Sequence, residues 1–229
     1  MIKRLFLLPL LLLFSIFTRA SEDNWTLYPS YQNSTYCQVA GKKVYILASG
    51  ALYSFNTADN ELYTYDKLNS LSDIDITHIA YSDFIKGLVI IYKNANIDIL
   101  YDDGTVYNIT DFKNSNIINK TINSIYINNN IAYLSTGFGT VVFDMEMLEI
   151  KNSYITGRNT LSTFLSKGIL YTGTDEGIFR CDTTKNMLDR NNWEKVNSNI
   201  VSAFSELNND LYILIKDSDI KILNTENNE

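Results

Sequence analysis

Five times along this chain the same cadence of short apolar runs returns, and its clearest copy is VYILASGALYSFNTADNELYTYD at residues 44–66. Residues 44–48 are apolar and β-prone, Ser49-Gly50 interrupts, residues 51–55 resume, and the turn formers of 56–60 lead into an aromatic-rich alternation at 61–65. Similar runs begin at Leu88, Ile131, Ile169 and Leu211, so the starts lie roughly 38 to 44 residues apart. A unit of that length cannot bury both faces of its own sheet. Stacked radially, such units make a β-propeller, with four strands to each blade.

The expected strands are 36–40, 44–48, 51–55 and 61–65 in the first blade, and 76–81, 88–92, 97–101 and 105–109 in the second. They are 122–127, 131–135, 140–143 and 148–155 in the third, and 161–165, 169–172, 177–181 and 193–196 in the fourth. A partial fifth blade uses 200–204, 211–215 and 220–223. The blades thus span about 36–66, 76–110, 122–155, 161–196 and 200–223 within an all-β domain at 21–229.

Residues 1–20 stand apart. Lys3 and Arg4 precede an apolar run of about a dozen residues, and Thr18-Arg19-Ala20 supplies a small residue at the cut, the pattern of a secretory signal peptide. The run is shorter than the roughly 20 apolar residues of a spanning helix, and no other segment is apolar enough to cross a bilayer. After cleavage 16 basic residues face 26 acidic ones, with no basic cluster, which argues against nucleic acid and anionic lipid as partners.

The fifth repeat offers no fourth strand, because residues 224–229 are polar. Meanwhile Asn24-Trp25-Thr26-Leu27-Tyr28 parallels Asn192-Trp193-Glu194-Lys195-Val196, so residues 25–28 read as an orphan closing strand. Two architectures follow: an incomplete propeller, or a closed five-bladed ring within this chain.

Candidate chemistry is sparse. His78 is the sole histidine; with no G-x-S-x-G and no recognisable cysteine context beside it, a hydrogen-bonded structural role is expected. Period 2 puts Ile76, His78 and Ala80 on one face of its strand and Thr77, Ile79 and Tyr81 on the other. Asp102-Asp103-Gly104-Thr105 lacks the ligand spacing of a calcium loop and reads as a hairpin turn, while Asp73, Asp75, Asp217 and Asp219 read as loop or turn acids. Gly137-Phe138-Gly139 and the 173–177 segment precede strands rather than helices, so they are tight turns and not phosphate cradles. Trp25 and Trp193 read as blade packing. The sequons at Asn24, Asn33, Asn108 and Asn119 matter only in a glycosylating host. Cys37 and Cys181 fall in different repeats and read as separate half-buried thiols. No catalytic, cofactor-binding or metal residue is assigned, and no ligand-binding residue can be named.

The segments YILASGALYSF (45–55), TYDKLNSLSD (64–73), NANIDIL (94–100) and AYLSTGFGTVVFD (132–144) together resemble the N-terminal propeller of the PorZ family. That family belongs to the type IX secretion system of Bacteroidetes, and the likeness covers most of residues 24–180. It implies a long protein with two seven-bladed propellers and a C-terminal β-sandwich, of which this chain matches an N-terminal piece. It also implies a non-enzymatic cell-surface scaffold, partnered with the sortase complex and linked to delivery of anionic lipopolysaccharide through domains this chain does not include. LSTGFG (134–139) and LYTGTDEGIF (170–179) are similar too to the periplasmic sensor propellers of two-component regulators, which gives ligand sensing as the alternative function.

Overall fold

A computed structural model describes residues 32–223. The expected signal peptide, the strand at 25–28, Trp25, Asn24 and the polar 224–229 segment lie outside the described residues.

Four antiparallel four-stranded sheets follow one another, and each keeps its strands in chain order. The first holds β1 (Ser34–Ala40), β2 (Lys43–Ala48), β3 (Ala51–Asn56) and β4 (Glu61–Tyr65). The second holds β5 (Ile76–Ser82), β6 (Gly87–Tyr92), β7 (Ile97–Tyr101) and β8 (Val106–Ile109). A short helix, α1 (Asp111–Asn114), leads to β9 (Ile122–Asn128), β10 (Ile131–Thr136), β11 (Gly139–Asp144) and β12 (Glu149–Ile155). The fourth sheet holds β13 (Thr160–Ser166), β14 (Ile169–Thr174), β15 (Gly177–Asp182) and β16 (Glu194–Asn197). A three-stranded fifth has β17 (Val201–Leu207), β18 (Asp210–Ile215) and β19 (Ile220–Ile222).

The first strands of successive sheets, β1, β5, β9, β13 and β17, pack side by side in that order and define the inner wall of a propeller. Among the described residues no comparable packing joins β17 back to β1. The sheets therefore form an open arc, an incomplete propeller of four full blades and a partial fifth, and not the closed five-bladed ring.

Apolar side chains fill each gap between blades, giving four clusters for five blades. Tyr45, Leu47 and Leu52 of blade 1 meet Ile79, Leu88 and Ile90 of blade 2. Val89, Ile91 and Ile97 meet Ala132, Leu134 and Phe143 across the second gap, where Phe112 of α1 is also buried. Tyr133, Val142 and Tyr154 meet Leu170, Phe179 and Trp193 across the third. Tyr171 and Ile178 meet Val201, Leu211 and Ile213 across the fourth. Burying side chains of this size contributes about 1.5–3 kcal/mol each, so packing between blades holds the arc together. The central blades are covered on both sides, and β6 and β11 are buried at every residue.

Every inner strand carries a β-bulge near its start, which two-residue periodicity alone does not announce. The extra residues are Thr35, Thr77, Asn123, Leu161 and Ser202. A bulge advances the strand by one residue and reverses the faces beyond it. Ile76 and Ile79 consequently share the face toward blade 1, where strict alternation pairs Ile76 with His78. Three of these residues fasten the distortion with a hydroxyl: Thr35 donates to Leu47 O, Thr77 to Ile91 O and Ser202 to Leu214 O, each at 3.3 Å.

Other departures from expectation are local. Leu148 has φ +57° and ends the turn, so β12 starts at Glu149. Trp193 caps a 3₁₀ turn at Arg190–Asn192 and precedes β16. Gly173 lies inside β14 rather than in a turn, since the β14–β15 hairpin turns on Asp175-Glu176. Of the two thiols, both free, Cys37 is exposed and Cys181 buried, because none of the described residues covers the Cys37 face of blade 1, whereas Cys181 lies in the gap between blades 3 and 4.

Candidate functional site

Strand direction places the links between blades and the second-to-third-strand turns at one end of the arc. A recurring hydrogen bond ties them: the first residue of the turn donates to the carbonyl just before the inner strand. It runs from Lys93 to Asp75 (2.9 Å), Gly137 to Thr121 (3.1 Å), Asp175 to Asn159 (3.1 Å) and Lys216 to Ile200 (2.8 Å). Loops held by a rigid scaffold are where a fold's binding residues tend to lie.

Its most elaborate part lies at blade 2. Asp98, wholly buried in β7, accepts from Tyr92 Oη at 2.5 Å, Asn108 Nδ2 at 2.7 Å and the Ser72 amide at 2.8 Å. Asn108 Nδ2 also reaches Asn96 Oδ1 at 3.0 Å. Asp73 accepts from Asn94 Nδ2 at 2.6 Å and Lys113 Nζ at 2.9 Å. Those bonds, the Asn94 amide foremost and Lys113 with it, hold the Asp73 carboxyl well below the usual carboxylate range, against the opposing effect of burial. Burial, then the Asp98 hydrogen bond, pushes the Tyr92 phenol far up. The network fixes the 66–75 link, the turn of blade 2 and α1 to one another.

Nearer the axis, His78 Nε2 donates to Asn123 O at 3.1 Å, and its Nδ1 lies 3.1 Å from Thr77 Oγ1. Asn123 Nδ2 then donates to Asn159 Oδ1 at 2.8 Å and Thr160 O at 2.6 Å. Ser162 Oγ donates to Val201 O at 3.0 Å. These latches join blades 2 to 3, 3 to 4 and 4 to 5. Burial lowers the His78 pKa, and both ring nitrogens are engaged, so the geometry makes it a latch between blades.

The remaining candidates separate. Asp102–Thr105 forms a hairpin turn with Gly104 at φ +89° and the Asp103 carboxylate accepting from the Thr105 amide at 2.9 Å. Asp75 and Asp217 adopt positive φ in their loops. Trp193 packs on Tyr154 at 6.1 Å and donates from Nε1 to Met187 O at 2.9 Å. The Asn108 amide is committed to the Asp98 network. Arg158 lies 4.0 Å over the Phe179 ring and donates to Glu176 at 2.9 Å. A shallow cavity of about 170 Å³ lies beside Gly50, Tyr65, Asp66, Lys67 and Asp73. Among the described residues no group of three or more His, Cys, Asp or Glu is placed to hold a metal, and no helix is long and apolar enough to cross a membrane.

Sequence reasoning missed the Asp98 network and the bulges. The first leaves a trace, an acid set between isoleucines in Ile97-Asp98-Ile99; the second leaves Thr or Ser one residue into three of the five inner strands.

The fold and its loop end define an arc of β-propeller blades whose polar side chains brace the loops. A family model described as the type IX secretion system PorZ N-terminal β-propeller domain matches residues 44–194, and the chain belongs to that family. Among solved structures it is similar to PorZ, a surface component of the type IX secretion system of Porphyromonas gingivalis, at 30% identity and TM-score 0.79. That match covers 86% of this chain and 27% of PorZ, so the chain spans about a quarter of its relative's length. The extracellular domain of a hybrid two-component system from B. thetaiotaomicron is similar at 17% identity and TM-score 0.67, over 90% of this chain and 29% of that one. A computationally designed protein, Ika8, is similar at 16% identity and TM-score 0.63, over 83% of this chain and 57% of that one. The last two likenesses show the fold alone. No curated protein matches.

Proposed function

We propose that this chain is an exported, non-enzymatic interaction scaffold of the type IX secretion machinery at the bacterial surface. It acts with the sortase complex, in the step that brings anionic lipopolysaccharide to the sortase. Membership of the PorZ family over residues 44–194 carries the reading. The loop end agrees with it: Asp98, Asp73 and His78 are all bound to neighbouring protein groups and hold loops in place, which suits docking. Docking falls to the links at 66–75 and 110–121, which the network around Asp73 and Lys113 makes rigid.

The test is affinity purification of the tagged chain from its host after cross-linking. Enrichment of sortase or other type IX components is expected. Enrichment lost on Lys113→Glu, with blade folding intact by circular dichroism, would place the contact at this end. Recovery of the chain without any secretion component would refute the scaffold reading.

A further inference from the structure

We infer that one ordered water is built into the gap between blades 3 and 4, held by the hydroxyl of Thr160 and by the hydroxyls of Ser135, Thr140 and Thr163. Four positions recur in every gap. They are the fifth residue of the earlier blade's second strand, its partner on the third strand, and the first and fourth residues of the next inner strand. In the first gap these are Leu47, Leu52, Ile76 and Ile79, all in its apolar cluster. In the second they are Ile91, Ile97 and Ile122, with Ile125 packed against them. The fourth gap holds Gly173, Ile178, Val201 and Phe204, with no polar side chain. Only the third gap carries hydroxyls, and it carries them at all four places: Ser135, Thr140, Thr160 and Thr163, none more than 4% exposed. A buried hydroxyl is costly unless it is bonded, so packing alone does not account for four together.

Three of the four bond to one another. Ser135 Oγ lies 2.8 Å from Thr163 Oγ1, and Thr140 Oγ1 lies 3.2 Å from the same atom. A hydroxyl has one proton to donate and two lone pairs with which to accept. Two bonds among three hydroxyls use two protons, so one proton of the trio finds no acceptor within it. Thr160 Oγ1 has no hydrogen-bond partner among the described residues, although the residue is 1% exposed. Its main chain is held from blade 3, Asn123 Nδ2 donating to Thr160 O at 2.6 Å, which fixes the start of β13 against that blade.

Two unspent donors in one buried cluster require a group that accepts twice. Water does so, and its own two protons suit the lone pairs that the four oxygens leave free; buried waters commonly make about three such bonds. An anion would be taken out of water with no cationic side chain at any of the four positions, which is far more costly. Each threonine is one non-hydrogen atom smaller than the isoleucine at the same place in the second gap, and the serine two, so the exchange supplies room as well as polarity. Blades 3 and 4 are thus joined through oxygen toward the loop end, and through Tyr133, Tyr154 and Trp193 farther from it.

A crystal structure of the chain at a resolution that shows ordered solvent tests this. One water is expected within about 2.5–3.2 Å of Thr160 Oγ1 and of at least one of the other three hydroxyls. Thr160→Val keeps the side chain's shape and removes its hydroxyl, and the sign of its effect separates two cases. With the water in place a bond is lost, and the urea midpoint falls by about 0.5 M, the equivalent of one ordinary hydrogen bond. Without it the variant removes a buried hydroxyl that nothing satisfies, and the midpoint rises. Circular dichroism without denaturant checks that the variant is folded. A midpoint that is unchanged or raised, or a density map that shows Thr160 Oγ1 against protein atoms alone, overturns the inference.

Discussion

Gly173 lets the backbone of blade 5 approach blade 4 closely, and Gly173→Ala measures how far the arc depends on that approach. A Cβ at this position would stand 2.5 Å from Val201 O, 2.7 Å from Ser162 Oγ and 3.0 Å from Val201 Cβ. Ordinary contact begins at 3.4 Å, so the β17 backbone must retreat by about 0.9 Å, and the 3.0 Å bond from Ser162 to Val201 O is disrupted with it. Overpacking of this kind costs about 1–3 kcal/mol. The lost hydrogen bond adds about 1 kcal/mol. With a denaturant slope of about 2 kcal/mol per molar, a loss of about 2–4 kcal/mol lowers the urea midpoint by about 1–2 M. Because one hydrogen bond enters both losses, Ser162→Ala and Gly173→Ala should combine to less than their sum. Urea titration of the four proteins by far-ultraviolet circular dichroism reads this out. A midpoint unmoved by Gly173→Ala, or strict additivity in the double variant, refutes the steric account.

Asp98→Ala leaves Tyr92 Oη and the Ser72 amide without their acceptor, while Asn108 Nδ2 keeps Asn96 Oδ1, and should cost about 3 kcal/mol, whereas Tyr92→Phe removes one donor and should cost about 1 kcal/mol; equal losses in chemical denaturation would contradict the network. His78 has a folded pKa below its ordinary 6.5, so the unfolded chain binds the extra proton first. Stability should therefore be constant above that pH and fall as pH drops below it, a component that His78→Gln abolishes. The depressed Asp73 carboxyl acts lower, stabilising above its ordinary 3.8 and losing that contribution as pH falls further, so Asp73→Asn should flatten only the acid end of the thermal-unfolding profile. One thiol, Cys37, should react with a maleimide in the native monomer and two after unfolding, with Cys181 protected by its place between blades 3 and 4; two fast equivalents in the native protein would contradict that packing.

The strands were legible because neighbouring sheets cover both faces of the central blades. A strand buried on two sides reads as an unbroken apolar run, as in Leu88-Val89-Ile90-Ile91-Tyr92, and turn formers bound it sharply. Blade order followed from the repeat length. Phase was not legible: an inserted residue such as Thr77 has no preference that separates it from an ordinary strand residue, yet it decides that Ile79 rather than His78 joins Ile76. The site was harder still. Asp98 meets the Ser72 amide 26 residues away, and Asn123 meets Asn159 across a gap between sheets, so those partners appear only once the blades are assembled. Cys37 was misjudged for a related reason. Its burial depends on whether another sheet lies against blade 1, which no local pattern states.

The extra residue in all five inner strands sets a rule for exchanging blades between positions or between relatives. A transplanted sheet keeps its apolar side chains in the gaps only if the donor brings its own bulge intact. A cut placed between that residue and its neighbour, or an alignment gap opened there, would turn the far half of the strand inside out while leaving its composition untouched. Joins made at the opposite end of the arc, in the turns near Asn129 and Gly168, carry no such penalty, because both strands beyond them are already in step.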